Sequence, residues 1–121
     1  MTTPNMFIVY VSDAPASARF YGDLFDMTPD FETPAFITFD LGGDIHLAVW
    51  SGAGDELAGR SSRTGEVCLT LPGGPEQIED LYRRWADKGV EIVAKPYDAM
   101  FGRTFLVADP DGNLIRVAPV D

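Results

Sequence analysis

The feature that most limits what this sequence can fold into is an order of elements that occurs twice. Residues 6–12 (Met-Phe-Ile-Val-Tyr-Val-Ser) are rich in β-branched and aromatic side chains and read as a strand. Ser12 or Asp13 then offers an N-cap and Pro15 suits a first turn. Ala14, Ala18, Tyr21 and Phe25 recur at helical spacing, so a helix is expected to run to about 26–29. After an irregular piece, residues 35–41 and 44–50 alternate as strands around Gly42-Gly43, a two-residue primed turn that wants glycine. Residues 51–64 are small and polar without a sustained period and read as a linker or mobile loop.

The series then begins again. Residues 65–71 alternate as a strand, and Pro75 opens a helix with Ile78, Leu81, Tyr82 and Trp85 at i, i+3, i+4 and i+7, closed by Gly89. Residues 90–94 form a short strand, and 103–108 and 113–118 flank the turn Asp109-Pro-Asp-Gly112. Phe20-Tyr21 corresponds to Leu81-Tyr82, and Ile45-His46-Leu47 to Ile115-Arg116-Val117. The expected class is α+β: one domain over 1–121, built from two βαβββ repeats at about 6–50 and 65–119 that form a curved sheet around a cup. A half of this size has little core of its own, so the halves are expected to share one or to exchange partners in a dimer.

Charge and rare residues narrow the function. Nine Lys and Arg against nineteen Asp and Glu give a formal charge of −10, which is unfavourable on a phosphate backbone, so no nucleic-acid partner is expected. Cationic or neutral ligands suit such a chain better. With one histidine, His46, and one cysteine, Cys68, there is neither a Cys/His zinc set nor a disulfide within the chain. No stretch approaches the roughly 18 apolar residues of a membrane span. The first five residues lack the basic and apolar parts of a signal peptide, and the expected location is the cytoplasm.

Strand parity separates two faces. Phe7, Val9, Val11, Ile45, Leu47, Val49, Val67, Leu69, Leu71, Ile115 and Val117 make an apolar set, expected under the helices. The opposite set mixes Met6, Ile8, Tyr10, His46, Ala48, Trp50, Glu66, Cys68, Thr70, Leu114, Arg116 and Ala118. Large apolar side chains interleaved with a few ionisable ones suit the wall of a ligand pocket, and the same mixture would serve a subunit interface. Cys68, mid-strand and with no helix N-terminus beside it, reads as structural.

Val9-Tyr-Val-Ser-Asp13 leading to Phe20-Tyr21, Leu41-Gly-Gly43 before a strand, and Phe105-Leu-Val-Ala-Asp-Pro-Asp-Gly-Asn-Leu-Ile115 resemble the vicinal oxygen chelate superfamily, over about residues 6 to 119. That superfamily includes glyoxalase I, bleomycin-resistance proteins and extradiol dioxygenases. The resemblance implies four inward metal-ligand positions, which fall on Met6, His46, Glu66 and Arg116. A thioether is a poor ligand for a hard divalent ion and a guanidinium has no lone pair to donate. Glu66 and Arg116 are therefore expected to form an ion pair, with His46 hydrogen-bonded and no metal or other cofactor held.

The expectation is a homodimer, like the bleomycin-resistance proteins, that binds a small aromatic or cationic molecule and serves in antibiotic resistance. The ligand-binding residues would be Tyr10, Phe39, His46, Trp50, Glu66, Arg116, Tyr97 and Phe101. Phe39 joins the set because a Gly42-Gly43 turn puts it opposite His46, while Tyr97, Met100 and Phe101 form a rim before Gly102. The alternative is a metal-dependent lyase, isomerase or dioxygenase using His46 and Glu66, or metal-free acid–base chemistry between them.

Overall fold

The computed structural model describes residues 4–52 and 65–120, so most of the expected linker lies outside the described residues. The chain divides into two compact units, residues 1–62 and 63–121. In the first, the order is β1 (Met6–Tyr10), α1 (Ala14–Phe25), β2 (Phe31–Glu32), β3 (Phe36–Asp40) and β4 (His46–Trp50). The second has β5 (Glu66–Leu71), α2 (Pro75–Asp87), β6 (Glu91–Ala99), β7 (Gly102–Ala108) and β8 (Leu114–Pro119). The sheets run β1-β4-β3-β2 and β5-β8-β7-β6, so the expected α+β repeat of βαβββ units is present. In each, the first strand pairs parallel to the last and lies at the edge.

Local chemistry sets the boundaries. Asp13 caps α1 by accepting from the Ala16 N–H at 3.1 Å, with Pro15 in the first turn, and the helix stops where Asp26 turns left-handed at φ 56°. Helix α2 begins with Pro75 after Gly74 and buries Ile78, Leu81 and Trp85. Trp85 and Tyr82 meet Phe105 of β7 edge-on, at 5.7 and 5.5 Å between ring centres. In the first unit Tyr21, Ile37, Phe39 and Val49 fill the corresponding core.

Three expectations need correction. The β3–β4 hairpin pairs Asp40 with His46 and Phe39 with Leu47, because the loop is Gly42-Gly43-Asp44, with φ of 91°, 59° and 63°, one residue longer than a two-residue turn. The shift of one residue sends Phe39 to the other face. It is fully buried against α1, near enough that a Cβ on Gly22 would lie 3.7 Å from its ring. Second, Phe7 and Ile45 are exposed, at 54% and 38%, because α1 rests on β3 and β4 and does not cover the edge strand or the start of the hairpin. Third, β6 extends to Ala99 through two irregularities, the second of which, between Ala94 and Tyr97, absorbs Pro96, so Tyr97 lies within a strand, opposite Thr104; Met100 and Phe101 alone form the hairpin tip. The short strand β2 falls in the piece read as irregular.

The Asp109 turn holds the β7–β8 hairpin. Its carboxylate, 2% exposed, accepts from the N–H groups of Asp111 and Asn113 at 2.9 and 2.8 Å and from Asn113 Nδ2 at 2.8 Å. Replacing it with alanine removes three hydrogen bonds from half-buried donors to a buried carboxylate, so Asp109→Ala should lower stability by about 2–4 kcal/mol. Urea denaturation should show this as a lower midpoint at unchanged slope.

Candidate functional site

In the first unit the sheet face opposite α1 is set by register. Met6, His46 and Asp40 stand in one row, Ile8, Ala48 and Thr38 in the next, and Tyr10, Trp50 and Phe36 in the third. One end is therefore polar and the other aromatic. Tyr10 and Trp50 lie 6.1 Å apart with their rings tilted by 42°. Phe36, rather than Phe39, is the cross-strand partner of Trp50.

At the polar end, His46 Nε2 lies 3.1 Å from Asp30 Oδ2. The hydroxyl of Thr38, itself buried, donates to Asp30 Oδ1 at 2.6 Å. That hydrogen bond lowers the Asp30 pKa below the ordinary aspartate value despite an opposing desolvation, and His46 acts in the same direction. Asp30 was not legible as a site residue because it precedes the two-residue strand β2, and Asp40 was hidden by the turn-length error. The left-handed tolerance of Asp44 was the available signal for the longer loop.

In the second unit the open face is centred on Arg116 of β8. Its Nε and Nη2 both donate to the Glu66 carboxylate, the Nη2 bond at 3.5 Å. Nη1 donates to Tyr97 Oη at 3.3 Å and to Thr104 Oγ1 at 3.2 Å, and the guanidinium carbon sits 5.8 Å from the Phe101 ring centre. Thr104 is fully buried, and its hydroxyl donates a hydrogen bond to the Val117 carbonyl at 2.6 Å. Strands β5, β6 and β7 thus each place one polar group around the cation of β8, with Phe101 of the β6–β7 tip beside it. Glu66 first, then Tyr97, raise the Arg116 pKa above the ordinary arginine value.

The two groups expected to meet, His46 and Glu66, have separate partners here: Asp30 for the first and Arg116 for the second. Of the four positions at which the resemblance implies metal ligands, Arg116 offers no lone pair and holds the Glu66 carboxylate in a two-point pair. Met6 offers only a thioether beside His46. This donor set does not fit the metal.

The glyoxalase/bleomycin resistance protein/dioxygenase superfamily pattern matches residues 3–117. A phenazine antibiotic resistance protein of Enterobacter agglomerans, EhpR, is 40% identical over 98% of this chain and 93% of its own length. Among solved structures, a protein of Agrobacterium tumefaciens determined by NMR aligns with a TM-score of 0.81 at 32% identity, over 100% of this chain and 99% of that one. A glyoxalase/bleomycin resistance protein/dioxygenase from Nocardioides aligns at 0.79 and 25%, over 98% and 83%.

Cys68 is the cross-strand partner of Arg116 on β5. Desolvation and then the charge of Glu66 push its pKa up, and the opposing pull of Arg116 does not reverse this. The thiol should accordingly be a slow nucleophile near neutral pH. Alkylation by iodoacetamide should run slower at pH 7.5 than for a free cysteine, and Glu66→Gln, which removes the repelling charge and leaves Arg116, should accelerate it; mass spectrometry follows the rate.

Proposed function

Since this chain belongs to the glyoxalase/bleomycin resistance protein/dioxygenase superfamily, we propose that it sequesters a planar aromatic antibiotic of the phenazine kind, holding it without a metal ion. The observation that carries this reading is the Glu66–Arg116 pair, which stands at two of the positions where an enzyme of the superfamily would place metal ligands. A guanidinium has no lone pair to give a dication there, and it already occupies the Glu66 carboxylate that could have served as a ligand. What remains is chemistry suited to holding a flat molecule: Tyr10 and Trp50 on one open face, Arg116, Tyr97 and Phe101 on the other, with His46 and Glu66 as polar contacts. The relative's name supplies the phenazine class.

The protein works as a homodimer in this reading. Support comes from β1, an edge strand whose Met6, Phe7, Ile8 and Tyr10 are all exposed, an apolar surface at a sheet edge that favours association with a second copy. Light scattering behind size exclusion should give twice the chain mass, and a monomer at micromolar concentration would contradict it.

Ligand binding is tested by titrating phenazine into the protein in buffer containing EDTA and following tryptophan fluorescence. Saturable quenching is expected, unchanged by EDTA, with Trp50→Ala and Arg116→Ala each weakening affinity about tenfold, as the loss of roughly 1.4 kcal/mol of stacking implies. Binding that appears only when a divalent cation is added would overturn the metal-free reading.

A further inference from the structure

Three side chains in the first unit form a ligand set that joins one superfamily position, His46, to two aspartates that stand at none of them. Asp30 precedes β2, Asp40 ends β3 and His46 opens β4, and one ligand atom from each lies within 4.8 Å of the other two. They are drawn from three segments that the hairpin register and the β2–β3 pairing bring together. We propose that Asp30, Asp40 and His46 form a binding site for a divalent first-row transition cation such as zinc or manganese. All three ligands belong to the first unit, and neither Glu66 nor Arg116 is among them.

The donor chemistry is apt. One imidazole nitrogen and two carboxylate oxygens suit these ions, with the remaining coordination positions open to water. The 3.1 Å between His46 Nε2 and Asp30 Oδ2 is close to the spacing of two adjacent ligands that each sit about 2.1 Å from one ion. Both carboxylates are held from outside the set. The hydroxyl of the buried Thr38 occupies Asp30 Oδ1, leaving Oδ2 toward the imidazole, and the Gly42 N–H occupies Asp40 Oδ1 at 2.8 Å. Outer hydrogen bonds of this kind fix ligand orientation in metal sites.

Charge points the same way. The segment 4–52 carries seven Asp or Glu side chains and a single Lys or Arg, which is Arg19. Arg19 is a helix residue that lines a groove with Asp23 and Glu32, on elements other than the β3–β4 pair. Among the described residues of the first unit the trio thus has no Lys or Arg partner to balance both carboxylates, and a dication does so at one point.

The test uses the full chain, stripped with chelator and dialysed, then titrated with zinc chloride by calorimetry. One ion per chain is expected, with Asp30→Asn and Asp40→Asn each weakening affinity at least tenfold, and with Glu66→Gln and the nearby Asp44→Asn leaving it unchanged. Cobalt substituted for zinc should give a visible absorption spectrum that changes in His46→Gln. Absence of saturable binding at millimolar zinc, or binding indifferent to Asp40→Asn, would overturn the proposal, and so would binding lost in Glu66→Gln. Phenazine quenching in EDTA is read independently, so either conclusion can fail without the other.

Discussion

A single helix is too narrow to cover four strands. With side chains it is about 10–12 Å across, while four strands at about 4.8 Å spacing span some 14 Å before side chains are counted. In each unit the helix therefore lies away from the first strand: α1 on the inner strands β3 and β4, α2 on β6, β7 and β8, from the far edge inward. The first strand of each repeat is left at the edge, with β1 exposed on both faces and β5 only half-buried on its apolar one. The exposed groups of functional interest follow from this shortage of cover, because Met6, Ile8 and Tyr10 of β1 and Glu66 and Cys68 of β5 stay accessible beside the more deeply placed side chains of the inner strands.

On the second unit that open face is organised by a charge that has to be satisfied. An arginine held at 19% side-chain exposure loses much of its water, and three neighbouring strands contribute to replacing it: Glu66 from β5, Tyr97 from β6 and Thr104 from β7. The result is a rigid guanidinium beside an aromatic ring. The first unit solves the opposite problem. Its acidic groups outnumber its cations, and Thr38, Gly42 and His46 orient the carboxylates.

How much of this could be read in advance depended on where each residue sat. Helices and central strands were legible because apolar spacing is dictated by what they bury; Ile78, Leu81 and Trp85 lie in the core as their spacing required. The pairing of Glu66 with Arg116 was legible from chemistry, since a carboxylate and a guanidinium at related positions have a strong reason to meet. Phe7 was misplaced because alternation says which residues share a face but not how far a helix reaches. Phe39 was misplaced because the loop length, a property of backbone dihedrals at Gly42, Gly43 and Asp44, decides parity for the whole strand. Asp30 carried no periodic signal, and only tertiary pairing brings it to His46.

The loop at 42–44 has an evolutionary corollary. Deleting one residue from it would exchange the environments of Phe39 and Asp40, burying a carboxylate under α1 and putting an aromatic ring beside His46. Substitutions around this hairpin can accumulate one at a time, but a change in its length cannot be tolerated without simultaneous replacement of every side chain along β3. Related chains that diverge freely in sequence should keep this gap-free spacing between strands, and their ligand preferences should drift through point changes on a frame whose length is locked.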